Sequence, residues 1–251
     1  MIFWIFFLLL ILLGIWFCIE QHVLRVRKQT LSLEHLPAGW DGVSLLQITD
    51  LHHRQMGRGN CRIIRQTQQL QPDVIVLTGD MISRDMRDFH EISSFLQALS
   101  KISPTYLCTG NHELDLPPEV QQEFWAMAEQ AGCHPLRNET VPLEKSGCPP
   151  LYLAGAELAY GIYRDDNRGF RHLQPYTADD LTQALGTRQG GMVRLPFVGG
   201  VLSPERRFFP KYDKGLYEKG GTKLYVSGGI GKPRLFNPPE INMIYLNSVQ
   251  K

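Results

Sequence analysis

The chain has 251 residues, of which 43% are apolar and 20% are charged, with 26 Lys and Arg against 25 Asp and Glu. This apolar fraction excludes a disordered chain, and five cysteines in this length exclude a disulfide scaffold. A net charge of +1 removes the broad electrostatic attraction behind nucleic-acid binding, so no nucleic-acid partner is expected. The length suits one domain of roughly 200 residues and a small additional segment.

The first predicted element is an apolar helix over Ile2–Ile19. These positions carry no charge, and a helix of this length spans about 27 Å, close to the ~30 Å hydrocarbon core of a bilayer. A cleaved signal peptide is the alternative, but neither its basic leading region nor its small-residue cleavage site is recognisable. We therefore predict an uncleaved transmembrane anchor over residues 1–22 of a single-pass cell-membrane protein. Arg25, Arg27 and Lys28 favour the cytoplasmic side for the domain that follows.

The remainder of the chain is typical of an α/β protein. Residues 23–42 are predicted to form a juxtamembrane segment and a first strand, and residues 43–251 to form one domain. Strands are predicted over Val43–Thr49, Val74–Thr78 and Thr105–Thr109, and helices over Cys61–Leu70, Phe89–Ile102 and Pro118–Ala131. This β-α-β-α-β order predicts a parallel sheet covered by helices, in which ligands bind at the carboxyl ends of the strands.

A polar cluster follows each of the three predicted strands. They are Asp50-Leu51-His52, Gly79-Asp80 and Gly110-Asn111-His112-Glu113, about 30 residues apart. Each cluster alone has an ordinary explanation as a turn or a helix cap, but parallel strands bring all three to one edge of the sheet. Carboxylate and imidazole are ligands for Mn, Fe or Zn, and a carboxylate such as Asp80 is able to bridge two cations. The ordered set therefore indicates a metal centre.

Longer motifs surround these clusters. They include LQITDLHH (Leu46–His53), PDVIVLTGD (Pro72–Asp80), LCTGNHE (Leu107–Glu113), GGMVRLPFVGGVLSP (Gly190–Pro204) and LYVSGGIG (Leu224–Gly231). In these motifs the chain resembles the calcineurin-like metallophosphoesterase superfamily, and more narrowly its membrane-anchored bacterial branch. Some members of that branch are phosphodiesterases or UDP-2,3-diacylglucosamine pyrophosphatases. The resemblance implies a layered β-sandwich flanked by helices, here preceded by one N-terminal transmembrane helix.

The resemblance also implies a metal-binding role for each matching ligand. Asp50 and His52 would hold a first divalent metal, Asp80 would bridge two metals, and Asn111 would hold the second. Manganese is the metal expected first, with iron or zinc as alternatives. The glycines before Asp80 and Asn111 would let the backbone approach the metals closely.

Catalytic and substrate-binding roles follow from the same resemblance. His112 would stabilise the transition state or protonate the leaving oxygen, with a metal-activated water as the nucleophile. Glu113 would either orient His112 or act as a carboxylate at the start of a helix, two alternatives of equal weight. His53 and Arg54 are candidate substrate-binding residues at the same loop.

The second half of the chain departs from the family pattern. Where the family has Gly-His-x-His-Gly-Gly, residues Gly186–Gly191 read GTRQGG, and none of the eight histidines lies beyond His172. The region 156–189 is short, His172 is the one candidate for a further metal ligand, and Gly228 stands where the family has an arginine. We therefore expect one well-held metal and a second that is weak or absent.

Two functional hypotheses follow. The first is an enzyme that hydrolyses a phosphodiester or diphosphate, with a lipid-linked substrate suggested by the anchor. The second is a catalytically impaired, membrane-tethered homologue that binds a metal or a phosphorylated ligand. The sequence predicts no oligomeric state.

Overall fold

The structure is a computed structural model. It describes residues 2–155, 193–195, 199–202, 214–219, 222–231 and 236–249. His172 and Gly186–Gly191 lie outside these ranges, so the roles predicted for this histidine and this segment stay predictions. The described residues fall into two compact units, one drawn from Val26–Arg171 and Ile241–Lys251 and the other from Met1–Arg25 and His172–Glu240.

Strands connected by helices make up residues 43–136, and further strands lie on both sides of this region. The helices are α1 (Ile2–Gln21), α2 (Cys61–Leu70), α3 (His90–Ser100), α4 (Asn111–Leu114) and α5 (Pro118–Gln130). The strands are β1 (Arg25–Leu33), β2 (Val43–Ile48), β3 (Val74–Thr78), β4 (Thr105–Cys108), β5 (Cys133–Leu136), β6 (Glu139–Leu143), β7 (Leu151–Gly155), β8 (Val193–Leu195), β9 (Gly199–Leu202), β10 (Gly215–Lys219), β11 (Thr222–Val226) and β12 (Glu240–Ser248). The predicted strands and helices are confirmed to within two residues at each end.

A six-stranded sheet in the order β1-β12-β2-β3-β4-β5 forms the larger unit. Strands β2, β3, β4 and β5 are parallel, so the predicted parallel arrangement of an α/β protein is confirmed. The distant strand β12 pairs antiparallel with β2, with Met243 opposite Leu46. This pairing was not predicted, because periodicity within a strand carries no information about its partner.

The two faces of this sheet are covered by different elements. On one face Leu46, Ile75 and Leu107 are fully buried, and α2, α3 and α5 add the fully buried side chains of Ile63, Phe95, Leu99 and Phe124. Because successive side chains point to opposite faces, the residues between them face the other way. There the hairpin of β6 and β7 and the loop before β2 complete a second apolar cluster around Trp40 and Leu143. The sheet is thus a layer between helices and a hairpin.

Helix α1 begins the smaller unit and is long and apolar enough to cross a membrane. Its apolar side chains are exposed, whereas Glu20 at its end is only 6% exposed. The Glu20 carboxylate accepts a hydrogen bond from the Phe236 N–H at 2.9 Å. The Arg25 N–H, just after the helix, donates to the Pro239 carbonyl at 2.8 Å. The end of the helix is therefore bonded to residues 236–239 of the same unit.

A buried ion pair lies in this unit. The Lys214 Nζ is 2.5 Å from Glu240 Oε2 and donates to Asn237 Oδ1 at 2.8 Å, with the lysine and glutamate side chains 6% and 1% exposed. Glu240 Oε1 accepts from the Gly228 N–H at 2.8 Å. A Cβ atom at Gly228 would lie only 2.9 Å from the ammonium. The absence of a side chain at Gly228 therefore leaves the space that Lys214 occupies.

Lys214→Met is expected to lower the free energy of unfolding by about 3 kcal/mol, because it removes the ammonium beside the buried Glu240 carboxylate. Urea unfolding at neutral pH measures the effect. The matched control is Lys223→Met, which removes the partner of the 59% exposed Glu218 and should cost under about 1 kcal/mol. Equal effects of the two substitutions would contradict a structural role for the buried pair.

Candidate metal centre

The carboxyl ends of β2, β3 and β4 meet at one edge of the sheet and carry the three predicted clusters. The loops after β2 and β3 are joined by hydrogen bonds from Asp50 N to Gly79 O at 3.2 Å and from His52 N to Asp80 O at 3.1 Å. Asp50, His52 and Asp80 all have positive φ angles, between 52° and 56°. Such backbone conformations are uncommon outside glycine and cluster at functional sites. The structure therefore brings these side chains together through an unusual loop geometry.

Imidazole and carboxylate groups converge at this edge. One ligand atom from each of His52, Asp80 and His112 lies within 4.8 Å of the other two. His52 Nε2 is 3.8 Å from Asp50 Oδ1 and 3.9 Å from Asp80 Oδ2, distances too long for direct hydrogen bonds. The His52 and His112 rings have centroids 4.3 Å apart. Within the described ranges this is the one group of three or more His, Cys, Asp or Glu side chains close enough to share an ion.

The orientation of His52 fits a metal ligand. Its Nδ1 lies 3.3 Å from the Ile82 carbonyl oxygen, to which a ring N–H donates. When the ring is neutral with its proton on Nδ1, Nε2 is the unprotonated nitrogen that faces the oxygens of Asp50 and Asp80. A lone pair that faces two carboxylates is favourable when a cation lies between them, and backbone carbonyls commonly orient metal-binding histidines in this way. The donor set therefore fits a divalent metal.

Asp80 is crowded by negative charge. Burial and the neighbouring charges of Glu113 and Asp50 raise its pKa from 3.8 to about 8. The hydrogen bond that Asp80 Oδ1 accepts from the His112 N–H, at 2.9 Å, lowers the pKa but does not offset these effects. Without a metal the site therefore holds a proton on a carboxylate at neutral pH, and a bound cation would take the place of that proton.

A pH dependence follows for the metal-free protein. The Asp80 carboxyl is protonated in the folded chain up to about pH 8 but ionises near 3.8 when unfolded, so its contribution to stability is present at low pH and is lost as pH rises through 8. In EDTA, the unfolding free energy of the wild type relative to Asp80→Asn should fall between about pH 5 and pH 8, by at most ~1.4 kcal/mol per unit. Chemical denaturation at several pH values measures this, and a constant difference would contradict it.

Of the two roles predicted for Glu113, the structure shows that of a carboxylate at the start of a helix. Its carboxylate is fully buried and accepts hydrogen bonds from the backbone N–H groups of Asp80, Met81, Ile82 and Gly110 at 2.7–3.3 Å. Burial raises the pKa of this carboxyl above its ordinary value, although these N–H groups act in the opposite direction. The carboxylate at the start of α4 thus ties the loop after β3 to the loop after β4.

The two glycines at these loops serve loop packing. Gly79 has φ +87°, and a Cβ atom there would lie 2.7 Å from the Gly110 Cα. A Cβ at Gly110 would lie 2.3 Å from the Asp80 N and 2.7 Å from Glu113 Oε2. The sequence predicted that these glycines allow close approach to metals. In the structure the approach they permit is between the two loops.

Arg84 is a site residue that the sequence analysis missed. Its N–H donates to His112 Nδ1 at 3.2 Å, and its Nη2 is 3.4 Å from His112 Nε2. Its Nη1 is 3.0 Å from Asp115 Oδ2, a side chain only 10% exposed. The backbone N–H of Arg84 thus fixes the His112 ring, while its guanidinium, about half exposed, presents positive charge beside it. The signal available in the sequence was an arginine four residues after Asp80.

The structure also places three of the remaining residues predicted for the site, Asn111, His53 and Arg54. Asn111 is the first residue of α4, three positions after the last residue of β4. His53 Nε2 is 2.9 Å from Asp85 Oδ1 at an exposed position, and this hydrogen bond lowers the pKa of Asp85. Arg54 lines a cleft beside His52. The predicted ligand His172 lies outside the described residues.

The fold and these strand-end side chains are typical of metal-dependent hydrolases, and comparison with known proteins agrees on the family. Residues 43–228 match the sequence model of the Metallophos family, the calcineurin-like phosphoesterases. The chain belongs to this family, whose members are phosphoester hydrolases that bind divalent metals.

Three relatives illustrate the range of similarity. The metallophosphoesterase YkuE of Bacillus subtilis strain 168 is 27% identical over 92% of this chain and 88% of the relative. The phosphodiesterase YaeI of Escherichia coli strain K12 is 28% identical over 70% of each chain. The UDP-2,3-diacylglucosamine pyrophosphatase LpxG of Chlamydia trachomatis is 31% identical over 38% of this chain and 30% of the relative.

Proposed function

We propose that this protein hydrolyses a phosphodiester or a diphosphate with the help of a divalent metal. The observation that carries the proposal is the convergence of His52 Nε2 with Asp50 and Asp80 oxygens, at 3.8 and 3.9 Å, beside His112. Relatives that are a phosphodiesterase and a diphosphate hydrolase support the two substrate classes.

Asp50, His52 and Asp80 would hold a first divalent metal, with manganese expected before iron or zinc. Asp80 and Asn111, with His172, would hold a second, weaker one. When bound, such cations supply Lewis-acid charge to the phosphoryl oxygens and make a water nucleophilic near neutral pH.

The side chains around the metal-binding edge have distinct proposed tasks. His112 faces the site from the start of α4 and is positioned to donate a proton or a hydrogen bond to the leaving oxygen. The Arg84 guanidinium beside it would balance the charge that develops on the phosphoryl oxygens. Glu113 would act indirectly, since it holds the loops that carry Asp80 and His112.

Helix α1 indicates where in the cell this hydrolysis would take place. Its length and composition support a single-pass anchor in the cell membrane, and Arg25, Arg27 and Lys28 favour the cytoplasmic side for the domain. An enzyme held at a bilayer meets lipid-linked phosphoesters at high local concentration, so a lipid-linked substrate is the first class to test.

Metal stoichiometry together with hydrolysis of bis-p-nitrophenyl phosphate tests the proposal. The purified full chain in detergent should turn over this diester when Mn²⁺ is added and lose the activity in EDTA. His112→Ala should abolish turnover while metal still binds. Failure of the wild type to hydrolyse the diester at any tested metal concentration would overturn the proposal.

A second candidate function rests on Gly186–Gly191, where two family histidines are absent. In that case the chain is a membrane-tethered protein that binds a metal or a phosphorylated ligand without turnover. Measured metal binding without hydrolysis of any offered diester or diphosphate would select this alternative.

Arg84→Gln is expected to lower kcat/KM for bis-p-nitrophenyl phosphate by about 10- to 100-fold, because it removes a cation beside His112. Metal affinity should change little, since the guanidinium is not a ligand. Steady-state kinetics measure the loss, with the exposed Arg65→Gln on α2 as the matched control. A loss of similar size in both variants would contradict a role specific to Arg84.

A further inference from the structure

A cleft of about 320 Å³ opens beside the candidate metal centre. His52 lines this cleft and also belongs to the metal-ligand cluster, so the two share a wall. One side comes from the loop after β2, which includes Arg54 and Gln55, and the other comes from Arg87 and Glu91 around the start of α3. The volume lies at the lower end of the range for small-molecule sites, which suits one ring-sized group.

The walls of the cleft present charges of both signs. Arg54 and Arg87 supply guanidinium groups, and Asp88 and Glu91 supply carboxylates. An acyl chain in this space would desolvate charged groups without replacing their hydrogen bonds. A second phosphate would meet two carboxylates as well as two guanidiniums. Neither an alkyl chain nor a further anion therefore matches the cleft.

Several of these polar groups are fixed in place. The Arg87 Nη1 donates to the carbonyls of Arg84 and Met86 at 3.0 and 2.7 Å. Asp88 Oδ1 accepts from the His90 N–H at 2.9 Å, and Gln55 Nε2 donates to Glu91 Oε2. A ligand therefore meets donors and acceptors whose positions are already set, which lowers the entropic cost of binding.

Buried apolar side chains form a further part of the cleft wall. Leu51 and Ile92 line the same cleft and are 2% and 6% exposed. A group that carries hydroxyls at its edge and C–H bonds on its face satisfies both kinds of wall, because each hydroxyl both donates and accepts. Sugars and cyclic polyols have this chemistry.

We propose that this cleft binds a hydroxyl-rich, sugar- or polyol-like group attached to the phosphate that the metal centre attacks. The proposal rests on the proposed function, because it takes the scissile phosphate to lie beside His52. It makes the cleft the specificity site for the polar part of the substrate and places any acyl chain elsewhere.

Three phosphate probes test the proposal on the Mn²⁺-loaded full chain in detergent, with binding measured by isothermal titration calorimetry. Glucose 1-phosphate carries a hydroxyl-rich ring, butyl phosphate carries an alkyl chain, and inorganic phosphate carries neither. Glucose 1-phosphate should bind about tenfold more tightly than both others, a gain typical of one or two well-made hydrogen bonds. Equal affinities, tighter binding of butyl phosphate, or no binding of any probe would overturn the proposal.

The Glu91→Ala variant tests whether the preference for glucose 1-phosphate arises in this cleft. Glu91→Ala should reduce the ratio of the butyl phosphate Kd to the glucose 1-phosphate Kd to about one third or less of the wild-type ratio. The matched control, Glu129→Ala on the exposed face of α5, should keep the wild-type ratio. An unchanged ratio in a folded Glu91→Ala protein would overturn the proposal.

Binding and hydrolysis measured on the same protein distinguish failure of the cleft assignment from failure of the proposed function. Tight binding of glucose 1-phosphate without hydrolysis of bis-p-nitrophenyl phosphate contradicts the proposed function alone. Hydrolysis with equal affinity for the three probes contradicts the cleft assignment alone.

Discussion

Glu113→Ala is expected to lower the free energy of unfolding by about 4 kcal/mol. The substitution removes the acceptor of four backbone N–H groups around a fully buried carboxylate, and each unsatisfied buried donor costs about 1 kcal/mol or more. The loops that carry Asp80 and His112 lose their link, so metal affinity should fall as well. Urea unfolding in EDTA measures the first effect, and titration with Mn²⁺ measures the second.

Two further variants sharpen this prediction. Glu113→Gln keeps one carbonyl acceptor of similar shape and should lose about half as much stability as Glu113→Ala. Glu129→Ala removes an exposed glutamate from α5 and should change stability by under about 0.5 kcal/mol. Stability of Glu113→Ala within that range would show that the N–H groups find other acceptors, against the role assigned to Glu113.

Asp80→Asn is expected to reduce kcat/KM for bis-p-nitrophenyl phosphate by at least about 1,000-fold. Asp80 lies between His52 and the His112 N–H, and it is the ligand on which both predicted metal positions depend. An amide retains the size of the side chain but loses the negative charge and the second oxygen with which a carboxylate would bridge two cations. Steady-state kinetics with added Mn²⁺ measure the loss.

The expected stability change has the opposite sign to the loss of activity. At neutral pH in EDTA, Asp80→Asn should unfold at the same or a higher denaturant concentration, because an amide, unlike this buried carboxyl, does not have to take up a proton on folding beside Asp50 and Glu113. Glu129→Gln serves as the control and should retain full activity. Activity of Asp80→Asn close to that of the wild type would contradict the metal centre itself.

Much of the site was predictable from local sequence. Strands β2, β3 and β4 are apolar runs that Asp50, Asp80 and Asn111 follow within three residues, and parallel strands place their carboxyl ends together. The two alternative roles of Glu113 show what the local sequence does not predict. Both roles fit a carboxylate after a strand, and only the positions of the Asp80, Met81, Ile82 and Gly110 N–H groups distinguish them.

Arg84 and the cleft show a second limit. Arg84 lies in a loop without periodicity, and nothing in the sequence states that its guanidinium lies beside His112. Similarly, Gln55 and Glu91 are 36 residues apart in the chain and meet only because α3 packs next to the loop after β2. Contacts of this kind depend on how elements pack rather than on the pattern within one element.

The sequence by itself determined the apolar N-terminal helix, the alternation of strands and helices and the carboxylate and imidazole side chains that follow three strands. These properties are local, because hydrophobic periodicity and short motifs act within a few residues. Only the tertiary structure decided that β12 pairs with β2, that Glu113 joins two loops, and that Lys214 occupies the space beside Gly228. Each of these depends on groups distant in the chain that satisfy buried hydrogen-bonding or charged partners, a requirement that arises only when the chain is folded.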